Sequence, residues 1–208
     1  GHIRVEGNRL VGSHGEPVRL KGMSLYWSQW GSKFWNDETI QWLVQDWQVT
    51  LVRAAMGVEA GGYLQSGNIE KQRVVTVVDA AIRNGVYVII DWHDHHAATH
   101  QEDALAFFAE MAEMYGKFPN VFFEIYNEPL TEDWSSQTKP YEQAALSTIR
   151  NHTDNLVICG TPNWSQDVEK AAQDPIVGHN IAYTLHFYAT SHKELLRAKA
   201  QVAQNQGA

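Results

Sequence analysis

Six short runs rich in β-forming residues alternate with longer helical patterns along this chain of 208 residues. Most of the runs are continuously apolar, as expected of strands that are covered on both faces. The alternation predicts a parallel sheet with crossover helices, either doubly wound or closed as a (β/α)8 barrel. The predicted strands are residues 18–26, 49–56, 86–93, 121–128, 155–161 and 181–189, and a short hairpin-like entry over residues 3–20 precedes them.

The positions of the polar residues distinguish between the two arrangements. They cluster at the carboxyl ends of at least four predicted strands, and a barrel gathers all of its strand ends around one mouth. No glycine-rich phosphate loop supports a nucleotide-binding alternative. We therefore predict an α/β fold of the (β/α)8 TIM-barrel type, with about six βα units in a single incomplete domain over residues 1–208. The polar strand ends are Arg53, the segment 91–96, Asn127 with Glu128, and His186 with Tyr188.

Capping residues predict where the helices begin and end. Ser, Thr and Asn favour the position before the first helical residue, and a glutamate three residues later strengthens the signal. Glycine favours the position after the last turn. Further helices are expected over residues 139–151 and shortly after Trp164. The predicted caps are Asn36, Asn68, Thr99 with Glu102, and Ser191 with Glu194. Gly85 is expected to end the helix that starts after Asn68 and precedes the third predicted strand.

Composition excludes several classes of partner. The net charge is -8, the isoelectric point is near 5.6 and no run of lysine or arginine is present, so we expect no nucleic acid and no anionic membrane partner. Cys159 is the lone cysteine, which excludes an intrachain disulfide. No apolar stretch approaches the roughly 20 residues that cross a bilayer, and the first residues lack a signal-peptide pattern. A neutral partner is expected.

Glu128 lies at the end of the fourth predicted strand, where an apolar run becomes polar. Because side chains alternate along a strand, Glu124 and Glu128 share a face, and Asn127 points away unless the strand has bent into its loop. Pro129 favours extended geometry at Glu128 and the end of the strand. Arg53 ends another apolar strand, and a buried guanidinium requires a carboxylate partner, for which Glu128 is a candidate.

A histidine-rich segment, DWHDHHAATH from Asp91 to His100, follows the third predicted strand. Imidazole and carboxylate groups suit zinc, so a metal-dependent hydrolase is one interpretation. The segment lacks the H-E-x-x-H or C-x-x-C spacing of specific zinc motifs, and neutral histidines also serve as hydrogen-bonding groups in sugar sites. The favoured interpretation therefore assigns no metal.

Further side chains suit the mouth of a barrel. His186 and Tyr188 alternate in the sixth predicted strand, where His186 is placed to bind a substrate hydroxyl and Tyr188 to orient a carboxylate. Tryptophans at or after strand ends offer flat apolar surfaces that stack on sugar rings. These are Trp27, Trp30, Trp35, Trp134 and Trp164.

Four motifs in succession carry a family resemblance: LVRAAMGV, VIIDWHDH, FFEIYNEP and YTLHFYA. Together they resemble glycoside hydrolase family 5, in particular its bacterial endo-β-1,4-glucanases (cellulases), and the likeness runs through all six units. The Asn-Glu-Pro at the fourth strand end is its most specific piece. The resemblance implies a (β/α)8 barrel, secretion to the extracellular space, no cofactor, and cleavage of β-1,4-linked glucans with retention of configuration.

The same resemblance implies roles for individual residues. Glu128 matches the family's general acid/base, and Asn127 matches the residue that bonds the 2-hydroxyl of the sugar at the scissile bond. The implied partner is a β-1,4-glucan such as cellulose or a cello-oligosaccharide. The matching substrate-binding residues around the sugar are Arg53, His93, His186 and Tyr188, with Trp164 and Trp30 as substrate-binding aromatics.

A retaining glycosidase needs a second carboxyl group about 5 to 5.5 Å from the first. Glu124 lies about 13 Å from Glu128 along a strand, so it is not expected to fill that role. In the family the nucleophile stands at the end of a seventh strand, which these six units do not include. We expect the second carboxylate to come from a separate chain, an oligomeric neighbour, or a loop residue such as Glu59, Glu102 or Glu132.

Six units are two short of a closed barrel of eight. The first and sixth strands then present open parallel edges, which natural proteins cover, pair or charge. We expect self-association or a complementing fragment at these edges. Two alternatives to a glucan-cleaving enzyme are a non-catalytic glucan-binding fragment and a metal-dependent hydrolase based on residues 91–100.

Overall fold

A six-stranded, wholly parallel sheet forms the centre of the computed structural model, which describes residues 1–208. The strands lie side by side in chain order, and helical segments follow each of them. The α/β class and the six predicted units are confirmed. The hairpin strands are β1 (Arg4–Glu6) and β2 (Arg9–Val11), and the sheet comprises β3 (Gly22–Ser24), β4 (Leu51–Gly57), β5 (Tyr87–His93), β6 (Val121–Glu124), β7 (Val157–Cys159) and β8 (Ile181–Tyr183).

The fourth strand of the sheet, β6, is shorter than its apolar run predicts. It ends at Glu124, and the amide of Ile125 makes one more hydrogen bond to the carbonyl of Ile158, at 3.0 Å. Asn127 and Glu128 therefore lie in the loop beyond the sheet, not at the end of the strand itself. Strict alternation of side chains consequently does not govern their directions.

Helices cover the outer face of the sheet. The main hydrophobic core contains 38 buried residues and fills the space between strands and helices. The helices are α1 (Ser28–Gly31), α2 (Asp37–Gln45), α3 (Tyr63–Arg83), α4 (Gln101–Tyr115), α5 (Lys139–Arg150), α6 (Pro162–Ser165), α7 (Val168–Gln173) and α8 (Glu194–Asn205), with 3-10 turns at Ser32–Phe34 and Ala97–His100 and a π turn at Trp134–Thr138.

One of the two asparagine caps predicted from the sequence is confirmed, and the other is wrong. The side chain of Asn36 accepts a hydrogen bond from the amide of Thr39 at 2.8 Å, as a cap of α2 should. Helix α3 begins at Tyr63, five residues before Asn68, and kinks at Ser66, where the backbone is not helical.

Both capping boxes predicted from the sequence are wrong. The hydroxyl of Thr99 donates to the carbonyl of His96 within a 3-10 turn, so α4 begins without a side-chain cap. Helix α8 follows Lys193, again without a side-chain cap, and Ser191 does not cap it. By contrast, Gly85 adopts the left-handed conformation directly after α3, as predicted for a helix end.

The interior of the sheet has an apolar end and a polar end. Ile89, Phe122 and Leu156 pack around Ile3, which precedes the hairpin, at the end where the strands begin. Asp91 lies two residues after Ile89 on β5, so its side chain points into the same interior, at the end where the strands finish. The hairpin thus closes the amino end, and polar chemistry is confined to the carboxyl end.

The outermost strands of the sheet are β3 and β8, and each pairs with one neighbour only. A cavity of about 530 Å³ lies between the hairpin and β8, with Val5, Leu10, Ile181 and Tyr183 in its walls. The predicted open edges therefore exist in this chain. None of its helices has the length and apolar character needed to span a membrane.

Glu142 on α5 is fully buried, and neither of its carboxylate oxygens has a hydrogen bond of ordinary geometry. Burial raises the pKa of this carboxyl well above its usual value, and the nearby thiol of Cys159 and amide of Gly160 oppose the shift only in part. Burial, followed by the proximity of Glu142, also raises the pKa of the Cys159 thiol. Glu142 is therefore held in its neutral form.

Replacing Glu142 by glutamine is expected to remove a pH-dependent loss of stability. Above about pH 4.3, the ordinary pKa of glutamic acid, the unfolded chain releases the proton that folded Glu142 retains. The wild-type free energy of unfolding therefore falls as pH rises toward the raised folded-state pKa, by up to about 1.4 kcal/mol per pH unit. Urea unfolding of both proteins between about pH 4 and pH 8 measures this difference.

The matched control is Glu113→Gln, because Glu113 is exposed on α4. Its free energy of unfolding should follow the wild-type curve. If wild type and Glu142→Gln lost stability in parallel with rising pH, the neutral form of Glu142 would be contradicted.

Candidate active site

Arg53 is the centre of a buried ion-pair network at the carboxyl end of the sheet. Its guanidinium makes two bonds of 2.7 Å to the carboxylate of Glu124 and approaches Asp91 Oδ2 at 2.8 Å. Arg53 Nη2, which takes part in the contacts with both Glu124 and Asp91, also donates to Asn127 Oδ1 at 2.9 Å. The predicted need for a carboxylate partner is confirmed, but the choice of Glu128 is wrong. Because Asp91 and Glu124 are register partners on β5 and β6, both carboxylates face Arg53 together.

The network determines protonation around it. Burial acts to lower the pKa of Arg53, but the charges of Asp91 and Glu124 outweigh it, so the pKa is raised and the guanidinium stays charged. Burial raises the pKa of both carboxyls, and Arg53 opposes each rise. Burial and the charge of Arg53 lower the pKa of His93 to about 3. His93 is therefore a neutral imidazole whose Nδ1–H donates to Asp91 at 2.6 Å.

An aromatic wall borders His93 on the side of β3. The ring of Trp27 meets the His93 ring edge-on, with centroids 4.2 Å apart, and lies 5.7 Å from the ring of His95. Trp30, more than half exposed, lies 5.1 Å from Trp27. These rings form an accessible apolar surface beside the polar strand ends, which suits stacking on a flat ligand.

Glu128 lies between two histidines. His186 Nδ1 is 2.8 Å from Glu128 Oε1, and His95 Nδ1 is 3.1 Å from the main-chain oxygen of Glu128 and 3.8 Å from Oε2. The carboxylate keeps 26% of its side-chain exposure. Partial burial raises the pKa of Glu128, but the hydrogen bond from His186 and the nearby imidazoles outweigh it and lower the pKa. The carboxylate is therefore ionised in this state of the molecule.

Beside Glu128 lies an open cavity of about 700 Å³. Its walls include Trp164, His186, Tyr188 and His192. The side chain of Tyr188 is largely exposed, and its ring lies 5.8 Å from that of His192. No carboxylate bonds to Tyr188, so its predicted part in orienting an acid stays a prediction.

Trp164 projects from a strained turn. Asn163, Trp164 and Ser165 all have positive φ angles, between 54° and 60°, which is unfavourable for residues with a side chain. Hydrogen bonds hold the turn in place: Trp164 N donates to the carbonyl of Pro129, and Ser165 Oγ donates to that of Asn127. The turn is thus tied to the loop that carries Glu128, and strain of this kind clusters at functional sites.

Of the eight site residues predicted from the sequence, five meet at the carboxyl ends of the strands and the others lie around them. Trp164 and Tyr188 line the cavity, and Trp30 belongs to the aromatic wall. The five that meet are Arg53, His93, Asn127, Glu128 and His186.

Sequence reasoning assigned no role at this site to His95 or Glu124, and it named Trp27 only as one of five tryptophans suited to stacking on sugar rings. His95 contacts Glu128, Trp27 contacts His93, and Glu124 holds Arg53. The alternation of His93 and His95 in the sequence was a usable signal for His95. The spacing of residues along one strand could not indicate the role of Glu124, because its partner, Arg53, lies on a different strand.

The histidine-rich segment divides between two separate networks. Asp91 and His93 belong to the network of Arg53. Asp94 and His100 bond to each other at 2.7 Å and lie beside Glu59 in the preceding loop. The segment from 91 to 100 is therefore not one continuous site.

Polar side chains and exposed aromatic rings thus gather at the carboxyl ends of successive parallel strands, which is where β/α barrels carry their functional sites. The chain belongs to glycosyl hydrolase family 5, whose cellulase family model matches residues 11–208. It is 51% identical to Endoglucanase Z of Dickeya dadantii over 99% of this chain and 49% of that protein. It is 42% identical to an endoglucanase of Clostridium saccharobutylicum, over all of this chain and 47% of that protein. The chain thus spans about half the length of these curated relatives.

Solved structures agree with this family membership. The catalytic domain of Thermobifida fusca endoglucanase Cel5A superposes with a TM-score of 0.94 at 32% identity, over 99% of this chain and 71% of that one. A structure from Cytophaga hutchinsonii gives a TM-score of 0.98 at 48% identity, over all of this chain and 68% of that one. The six units therefore have the fold of about 70% of a family 5 TIM-barrel domain.

Replacing Glu124 by glutamine is expected to lower the free energy of unfolding by about 3 to 5 kcal/mol, because it leaves the buried guanidinium of Arg53 without its bidentate partner. Urea unfolding measures the loss. Glu128→Gln is the matched control, since the same chemical change at the partly exposed carboxylate should lower stability by less than about 1 kcal/mol. Equal losses in the two variants would contradict the assignment of Glu124 as the main structural partner of Arg53.

Replacing His186 by alanine is expected to raise the pKa of Glu128, since the hydrogen bond that favours its ionised form is lost while partial burial remains. Titration of the carboxyl carbon signals by NMR measures the shift, with Glu128→Gln identifying the signal. His192→Ala, a change in the same cavity, should leave the titration of Glu128 where it is in wild type. A titration unchanged by His186→Ala would contradict this account.

Proposed function

We propose that this chain carries the acid/base half of an endo-β-1,4-glucanase that cleaves internal bonds with retention of configuration. The observation that carries the proposal is Glu128, ionised between His95 and His186 at the edge of an open cavity. Membership of a cellulase family and similarity to proteins named endoglucanases support the same chemistry.

In this proposal Glu128 protonates the leaving oxygen of the glycosidic bond and later removes a proton from the attacking water. Asn127 binds the 2-hydroxyl of the reacting sugar. Asn127 Oδ1 accepts a hydrogen bond from Arg53. Asn127 Nδ2 makes no hydrogen bond within the protein and keeps some exposure. The amide NH2 is therefore available to donate to the sugar hydroxyl.

The remaining predicted residues bind the sugar rings around the scissile bond. With Nδ1–H bonded to Asp91, His93 offers Nε2 as an acceptor for a hydroxyl. Trp164, which lines the cavity beside Glu128, and Trp30, which belongs to the aromatic wall, supply apolar faces that stack on pyranose rings. We propose Tyr188, exposed at the same cavity, as the residue that orients a second carboxylate.

The proposed mechanism requires a nucleophilic carboxylate about 5 to 5.5 Å from Glu128. The three loop candidates do not contact the histidines that hold Glu128. Glu59 lies beside His96, Glu132 accepts from a tyrosine hydroxyl, and Glu102 is exposed at the start of α4. We propose that the nucleophile belongs to polypeptide outside these 208 residues, in a complementing segment or an associated chain that also pairs with the edges of β3 and β8.

A second carboxylate near Glu128 would raise its pKa, which is lowered in this structure. A like charge within a few ångströms disfavours ionisation and raises a carboxyl pKa. The lowered pKa of Glu128 is thus a property of the site without its nucleophile, and the completed pair shifts it toward the value that a general acid needs.

We propose β-1,4-glucans, cellulose and cello-oligosaccharides, as substrates. The related Thermobifida fusca catalytic domain has been solved in complex with cellotetraose, and that variant is 31% identical to this chain. Secretion to the extracellular space, which the family resemblance implies, is part of the proposal.

The function is tested by release of reducing sugar from carboxymethyl-cellulose, with the chain alone and joined to the remaining barrel units of a family 5 relative. The joined protein should hydrolyse the polymer, and Glu128→Gln should lower its turnover by at least about 100-fold with nearly unchanged binding of cello-oligosaccharide, because the acid acts in the transition state. Isothermal titration measures binding.

Glu132→Gln in the joined protein is the matched control and should retain wild-type turnover. Unchanged turnover in Glu128→Gln would refute its role as acid/base. Binding of cello-oligosaccharide without hydrolysis, in both forms of the protein, would favour a non-catalytic glucan-binding module. Loss of activity on treatment with chelator, in a protein whose urea unfolding curve is unchanged by the chelator, would favour a metal-dependent hydrolase.

A further inference from the structure

A second cluster of side chains lies in the loops after β4 and β5, and the proposed glucanase chemistry does not use it. Glu59, Asp94 and His100 each place one ligand-type atom within 4.8 Å of the other two. His96 approaches from the same loop, with Nδ1 at 3.3 Å from Glu59 Oε2. The cluster thus combines imidazole nitrogens with carboxylate oxygens.

Asp94 is buried and already occupied. Its Oδ1 accepts the amide of His96 at 2.9 Å, and its Oδ2 is 2.7 Å from His100 Nδ1. With an acceptor on Nδ1, the neutral ring of His100 carries its proton there and presents the lone pair of Nε2. A carboxylate that orients a histidine in this way is the usual outer partner of a metal-bound imidazole.

The oriented Nε2 of His100 faces Glu59 without bonding to it. The separation from Glu59 Oε1 is 3.9 Å, which is too long for a hydrogen bond. Two ligands held about 2.0 to 2.2 Å from a tetrahedral ion lie about 3.3 to 3.6 Å apart. The observed separations are 3.3 Å from Glu59 Oε2 to His96 Nδ1 and 3.9 Å from Glu59 Oε1 to His100 Nε2, so each carboxylate oxygen of Glu59 faces one imidazole nitrogen.

We propose that Glu59, His96 and His100 bind a divalent transition metal, with zinc as the representative ion, and that Asp94 orients His100 from outside the coordination shell. Two nitrogen donors and one carboxylate favour zinc over calcium or magnesium, which take oxygen ligands. The side chains of Glu59 and His96 are each more than 40% exposed, so both are free to close the remaining distance. A water molecule completes the tetrahedron.

The ion would join two loops and brace the segment next to Glu128. The carbonyl of Asp94 accepts the amide of Glu128 at 3.4 Å, and His95 bonds the main-chain oxygen of Glu128. Zinc at this position therefore stabilises the fold locally and takes no part in bond cleavage. The inference stands on the geometry of the cluster and does not depend on the proposed glucanase activity.

Isothermal titration of zinc into the metal-free chain tests the site. One ion per chain is expected, with a dissociation constant in the micromolar range or below, and zinc should raise the melting temperature relative to chelator. His100→Gln and Glu59→Gln should each weaken binding by at least about 30-fold, and His96→Gln by at least about 10-fold. Calcium at equal concentration should not displace zinc.

Two controls separate this site from other histidines. His179 forms an exposed pair with Asp154 that resembles the cluster without a third ligand, so His179→Ala should bind zinc as wild type does. His2→Ala removes chelation by the terminal amine and its neighbouring imidazole, and should also retain binding. Because partly buried His100 has a folding role through Asp94, the more exposed Glu59→Gln variant provides the test if His100→Gln does not fold.

Absence of saturable binding at about 100 μM zinc, or full binding retained in Glu59→Gln, would overturn the proposal. Wild-type affinity in His96→Gln would overturn the ligand set, and displacement by equimolar calcium would overturn the choice of a transition metal.

Discussion

The carboxyl end of this sheet is organised around one buried cation. A guanidinium inside a β/α unit is unfavourable unless its charge and its donors are matched, and Arg53 is matched by Glu124 and Asp91 on the two following strands. The three side chains bind β4, β5 and β6 together at the level where the loops begin. Through Asn127, the same cation orients the amide next to Glu128, so a structural ion pair also positions the site.

Much of this architecture could be predicted from the order of residues alone. Continuous apolar runs and helical spacing identified all six strands, and polar residues at their ends identified the face that carries the site. The partner of Arg53 could not be found in the same way. It depends on the register between strands, which places Asp91 opposite Glu124, and a count along one strand carries no information about that alignment. The Asn36 cap was found from the sequence, but those at Asn68 and Thr99 were wrong, because α3 already begins at Tyr63 and Thr99 lies inside a 3-10 turn.

The ionisation of Glu128 illustrates a second limit of sequence reasoning. The role proposed for Glu128 requires an acid with a raised pKa, and partial burial alone moves the pKa of Glu128 in that direction. His186, more than fifty residues away in sequence, reverses the shift by bonding to the charged form. An acid and a nucleophile influence each other's protonation, so the pKa values belong to the pair and not to either residue. A site holding only one of the two is therefore expected to differ electrostatically from the complete one.

The loop after β5 connects Glu128 with the cluster of Glu59, Asp94, His96 and His100. His93, the last residue of β5, and His95 contact Asp91 and Glu128 respectively, whereas Asp94, His96 and His100 lie beside the loop that carries Glu59. Because the main chain of Asp94 and the side chain of His95 both bond to the backbone of Glu128, whatever fixes this loop also fixes the acid. Displacements of about an ångström are enough to impair catalysis, so order in the outer cluster bears directly on the precision of the inner one.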